Sequence, residues 1–81
     1  MTEHPIRIAK HSLVIAGHRT SISLEEPFWI ELKKLAVDRA LPLAALVAEI
    51  DSTRGSANLS SAIRVAILEQ IRARAQAVEP Q

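Results

Sequence analysis

"HRTSISLEEPFW", residues 18–29, passes from a strand pattern to a helix start with no loop between them. Successive side chains of a strand point to opposite faces, so Thr20, Ile22 and Leu24 share one side. Arg19, Ser21 and Ser23 share the other. Pro27 suits the first turn of a helix, where its missing N–H removes no bond. Glu25 and Glu26 sit beside the positive end of that helix dipole. The polar side of the strand is either the wet face of a small sheet or a surface that meets a ligand. Amphipathic strands are common, and alternation alone favours the wet face.

Upstream, "HSLVIAGHRTSISL" contains two β-type runs around Ala16–Gly17–His18. A hairpin with strands near 11–15 and 19–24 is one reading, with Gly17 supplying a positive φ at the turn. A lone strand at 19–24 after an irregular arm is the other. Residues 1–10, with a proline and mixed polarity, predict a flexible arm.

Downstream, Phe28, Leu32, Leu35 and Ala36 form the stripe of an amphipathic helix, and Trp29 and Ile30 widen it. Lys33, Lys34, Asp38 and Arg39 lie off the stripe. Pro42 predicts a break near Ala40–Leu41. A second helix is expected over about 42–51, with Leu43, Leu46, Val47 and Ile50 on its apolar side. "DSTRGSAN", 51–58, is rich in turn formers, and Asn58 or Ser56 can cap the next helix. That third helix spans about 59–75, with Leu59, Ile63, Ala66, Ile67 and Ile71 as its stripe. Ala62, Val65 and Leu68 extend its apolar arc so far that it must pack against more than one neighbour, its own helices and a partner chain. Residues 76–81 are predicted to fray. The fold class is α+β, mostly α, with the domain at 11–75.

An 81-residue chain fits one domain. Chains this short bury a small fraction of their surface. With 48% apolar residues and no cysteine, this one must complete its core without disulfides, and dimerisation is the usual way. Formal net charge is +1. Residues 1–24 carry Arg7, Lys10 and Arg19 against Glu3, a net +2, so a mild basic bias sits on the strand region. The early apolar run, Leu13 to Ala16, is too short for a signal-peptide core or a membrane span. A cytoplasmic protein with no membrane partner is expected.

Catalytic and metal chemistry find little support. No cysteine or tyrosine is present, and a Ser/His/Asp triad is a geometry that composition cannot establish. So small a chain has little room for a ligand cavity of the usual size. His4, His11 and His18 recur every seven residues, but a metal needs convergent ligands, which that spacing does not provide. No enzyme activity, metal or cofactor is expected. Phe28 and Trp29, at the start of an amphipathic helix, are read as structural. Arg64 has three readings: a phosphate contact, a carbonyl cap, or a partner for Asp51.

A strand running straight into an amphipathic helix, then a second helix after a short turn, resembles the ribbon-helix-helix DNA-binding domains of the Arc and methionine repressor type. More closely, "GHRTSISLEEPFWIELKKLA", "LVAEID" and "NLSSAIRVAILE" resemble a family of small bacterial ribbon-helix-helix proteins, over roughly residues 11–72. The resemblance implies an intertwined homodimer with a preceding short strand and an additional C-terminal helix. It implies a core of Ile22, Leu24, Phe28, Trp29, Leu32, Leu46, Val47 and Ile50 shared between protomers. It also implies an antiparallel ribbon in the major groove of double-stranded DNA, which admits two strands and shows a distinct pattern for each base pair.

On that basis Arg19, Ser21 and Ser23 are the expected base contacts. Lys10, Lys33, Lys34 and the N–H groups of Leu43 and Ala44 are the expected phosphate contacts. Two departures stand out. The family often has glycine where Ala40 stands and a small hydroxyl residue where Pro42 stands, and proline has no N–H to donate. The expected function is transcriptional regulation, as a repressor occupying an operator as one dimer or as two or more dimers on adjacent half-sites. The alternative is a protein-interaction module or antitoxin-type partner-binding protein on the same fold, favoured by the low net charge, Pro42 and the broad apolar third helix.

Overall fold

A computed structural model describes residues 6–77. Strand β1 (Ile8–Ile15) and strand β2 (His18–Glu25) form an antiparallel hairpin, followed by helices α1 (Glu26–Asp38), α2 (Leu43–Thr53) and α3 (Leu59–Ala77). The two strands are joined by Ala16 and Gly17 alone, both with positive φ, 51° and 83°. Two left-handed residues in a two-residue loop make a type I′ turn, whose twist matches that of the flanking strands.

β1 begins at Ile8, inside the stretch expected to be an arm. Its first residues are held by partners distant in sequence. The Glu26 N–H donates to the Arg7 carbonyl at 2.8 Å, and the Trp29 indole N–H donates to the Ala9 carbonyl at 2.8 Å. Residues 1–5, including His4, and 78–81 lie outside the described residues. α3 runs to Ala77, two residues into the stretch expected to fray.

One face of the hairpin is apolar. Ile15, Ile22 and Leu24 are buried, with Ala9 and Leu13 packed beside them. The helices cover this face with Trp29, Leu32, Leu35 and Ala36 from α1, Leu46, Val47 and Ile50 from α2, and Ile63 and Ile67 from α3. Burying each large aliphatic side chain stabilises the fold by about 1.5–3 kcal/mol.

The break after α1 is built by backbone bonds. Leu41 N–H donates to Ala36 O and Ala40 N–H to Val37 O, the paired bonds of a Schellman motif. The residue in its left-handed position is Ala40, φ 55°. Pro42 is the N-cap of α2 and offers no side-chain bond. Asn58 caps α3, its Oδ1 accepting the Ser61 N–H at 2.8 Å. Ser56 has no part in that cap.

Three sequence expectations need correction. Ile30 is 55% exposed, since Trp29 alone turns inward from that pair. Ile71, expected on the core stripe of α3, lies outside the core at 45% exposure. Arg64 does not meet Asp51, which instead holds Arg54 at 2.6 Å.

Candidate nucleic-acid interface

Among the described residues, no helix covers the second face of the hairpin. Its residues are set by the register, which pairs Lys10 with Ser23, Ser12 with Ser21, and Val14 with Arg19. All six side chains point away from the core and all six residues are exposed. The bond from Glu26 N–H to Arg7 O fixes the phase of the ladder, because hydrogen-bonded and non-hydrogen-bonded pairs alternate. The outward pairs are therefore the non-hydrogen-bonded ones, in which facing side chains lie closest. Ser12 and Ser21 show this, their hydroxyl oxygens 3.4 Å apart.

Arg19, Ser21, Ser23 and Lys10 are thus brought onto one surface. Sequence reasoning found the β2 half of it and assigned Lys10 to phosphate. It missed Ser12 and Val14, which the same alternation on β1 reaches once the turn residues set the register.

Charge on this surface is arranged by contacts at its end. Glu25 shares the outward phase of β2, and Arg64 of α3 binds it, Nε to Oε1 at 3.0 Å and a terminal guanidinium N–H to Oε2 at 3.3 Å. The guanidinium hydrogen bond holds the Glu25 carboxyl below its ordinary pKa. Arg64 also lies over the Phe28 ring, 5.8 Å from its centre. Ser60 of α3 donates to the Ser23 carbonyl at 2.9 Å. The exposed basic groups Lys10 and Arg19 therefore share the ribbon with an acid already occupied.

The other expected phosphate contacts sit on separate elements. Lys33 and Lys34 lie on the solvent side of α1, between exposed Ile30 and Val37, and Lys34 is 3.4 Å from Glu31. Arg39 is paired with Glu49 across the α1–α2 connection, and that bond lowers the Glu49 pKa. At the start of α2 the first intrahelical bond runs from Leu46 N–H to Pro42 O. Leu43, Ala44 and Ala45 therefore keep their N–H groups outside the helical ladder. Pro42 precedes those groups, so the proline removes a side-chain hydroxyl but none of the three donors.

The residues expected to form a shared dimer core are closed within one chain. Ile22, Leu24, Trp29, Leu32, Leu46, Val47 and Ile50 are buried there, and Phe28 is half-buried beneath Arg64. β2 has its antiparallel partner in β1 of its own chain. His11 sits edge-to-face with Trp29, ring centres 4.4 Å apart. Among the described residues no cluster of His, Asp or Glu is placed to hold a metal ion. No described helix is long and apolar enough to cross a membrane.

A family model for the ribbon-helix-helix domain matches residues 8–71, from the first residue of β1 to near the end of α3. The chain belongs to the ribbon-helix-helix family. Ribbon-helix-helix domains generally bind DNA, as transcription regulators or antitoxins, form dimers, and are typically non-enzymatic. Searches of curated proteins and of solved structures gave no match.

Proposed function

We propose that this chain is a sequence-specific DNA-binding transcriptional regulator, acting as a homodimer in the bacterial cytoplasm. It works as a repressor, by occupying an operator. The observation that carries the proposal is the uncovered, polar and basic face of the β1–β2 ribbon. Arg19 offers a fork for guanine O6 and N7, and Ser21 and Ser23 are short donors and acceptors that tolerate several bases. Lys10 and the free N–H groups at the start of α2 serve phosphates, with Lys33 and Lys34 as further cations. Dimerisation is supported by the apolar side chains that one chain leaves in solvent, among them Val37 at 78% exposure and Val65 and Leu68 on α3.

Binding to random-sequence duplex over a salt series is the test. Affinity falls steeply as salt rises if the protein neutralises phosphates. Absence of binding at low salt overturns the proposal. On a duplex selected from a random pool, Arg19→Ala weakens binding by about 1–3 kcal/mol and relaxes preference at one base pair. A monomer by sedimentation at micromolar concentration removes the dimer.

The second reading, a protein-interaction module or antitoxin, is favoured by α3. Val65 lines a cleft with Ile50, Ala62 and Ala66 between the end of α2 and α3, and Leu68 is exposed one turn on. Absence of DNA binding by an otherwise folded dimer supports it.

A further inference from the structure

Val14 is 60% exposed and is one of two apolar side chains on the outward face of the paired ribbon, the other being Ile8, opposite Glu25 at the far end. It lies directly opposite Arg19 in a non-hydrogen-bonded pair, next to the turn. Nothing in the core needs it, since its neighbours Leu13 and Ile15 supply the apolar face. Facing side chains in such a pair have Cβ atoms about 4.5–5.5 Å apart. Successive bases along one DNA strand are about 3.4 Å apart. The Cβ separation of the Val–Arg pair is therefore about one and a half base steps, which lets the two side chains of a ribbon lying in the groove reach adjacent base pairs.

We propose that Val14 is a specificity-determining residue that packs on the 5-methyl group of a thymine adjacent to the guanine bound by Arg19. The inference rests on the DNA-binding proposal above. The chemistry is that of the major groove: the thymine methyl is the one apolar group that a base edge displays there, and apolar side chains recognise it by contact. Burying a methyl against Val14 removes both from water, which is favourable by roughly one CH₂ equivalent. Arg19 and Val14 then act as one unit, a donor fork beside an apolar patch. The ribbon reads DNA with β1 as well as β2.

The test uses the duplex selected from a random pool by the full chain. Each thymine in turn is replaced by deoxyuridine, which removes the methyl and leaves every hydrogen-bonding group. The wild-type protein loses about fourfold in affinity at one thymine, next to the guanine whose replacement is suppressed by Arg19→Ala. Val14→Ala binds more weakly than wild type and is indifferent to that same deoxyuridine. Val14→Thr, which keeps one methyl and the β-branch, serves if the alanine variant is poorly folded, and it retains part of the discrimination. Equal loss in the wild type and the Val14 variants overturns the inference, as does a wild type indifferent to every deoxyuridine, while both leave the DNA-binding proposal standing. Failure to bind any duplex at low salt removes the proposal and the inference together.

Discussion

Arg64, in the second turn of α3, grips Glu25, the last residue of β2, through two guanidinium hydrogen bonds of 3.0 and 3.3 Å. The contact ties the end of the ribbon to a helix 39 residues away in sequence. It also pairs the carboxylate at the end of the ribbon face that carries Lys10 and Arg19.

This pair sets an acid dependence of stability. The Glu25 pKa is lowered in the folded chain, by the Arg64 hydrogen bond above all. A carboxyl whose folded pKa is depressed contributes stability that is present above its unfolded value, near 4.5, and is lost as pH falls through the folded value. Glu25→Gln removes that dependence while keeping the shape. The gap in thermal stability between wild type and Glu25→Gln is therefore largest at neutral pH and shrinks below pH 4.5. Glu49 has a lowered pKa too, but it titrates in both proteins and cancels in the comparison. A gap that is the same at neutral and acid pH would show that the pair contributes nothing.

Ala40 holds the left-handed position of the Schellman motif at the end of α1, with φ 55°. A side chain in that conformation costs about 1–2 kcal/mol, from which glycine is exempt. Glycine loses more entropy on folding, about 0.4–1 kcal/mol. Ala40→Gly is accordingly stabilising by about 0.5–1 kcal/mol, or a few degrees in the melting temperature of a domain this size. Ala16, φ 51°, has the same problem in the hairpin turn, where asparagine is preferred before glycine. Ala16→Asn should raise the urea midpoint as well. No change in either variant would mean that these residues relax out of the left-handed region.

Much of this architecture is legible along the chain, and the parts that are not share a cause. Pro27, Pro42 and Asn58 mark helix starts by rules that act within a few residues, and Gly17 marks the turn in the same way. The start of β1 is set by the Glu26 N–H and the Trp29 indole, both remote in sequence, so local composition read residues 8–10 as an arm. Trp29 borders the apolar stripe of α1, whereas Ile30, about 100° further round the helix, falls on the solvent side with Lys33, Lys34 and Val37. The indole adds an N–H bond to the Ala9 carbonyl, a partner remote in sequence. For the site, alternation located Arg19, Ser21 and Ser23, whereas Ser12 and Val14 required the pairing register. Arg64 stayed open among three partners because its actual one, Glu25, is a property of helix packing.

Trp29 is buried, and its Nε1–H donates to Ala9 O at 2.8 Å, pinning β1 to α1. Trp29→Phe keeps an aromatic ring but loses the donor, at a cost of about 0.5–1.5 kcal/mol for the bond. Part of the ring volume goes as well, which adds a cavity cost. Circular dichroism in urea gives the stability change, and hydrogen exchange gives its location. Amides at residues 8–11 lose protection more than those of α2. Uniform loss across the chain would mean that the indole acts only by filling space.

Pro42→Ser separates capping from phosphate binding. The hydroxyl can accept from an N–H of the first turn of α2, which is worth about 1 kcal/mol at an N-cap. Losing the proline ring frees the unfolded chain, at a cost of about 0.4–1 kcal/mol. The two nearly cancel, so the melting temperature should move little. DNA affinity should move more. Leu43, Ala44 and Ala45 already present N–H groups outside the helical ladder, and a serine hydroxyl beside them adds a further phosphate donor. That donor is uncharged, so affinity for random duplex rises at every salt concentration while the slope against salt is unchanged. Base preference in a selected duplex is also unchanged, because phosphate contacts position the protein and carry no sequence information directly. Unaltered affinity in a protein of unaltered stability would place the start of α2 away from the phosphates. The phosphate contacts would then fall to Lys10, Lys33 and Lys34.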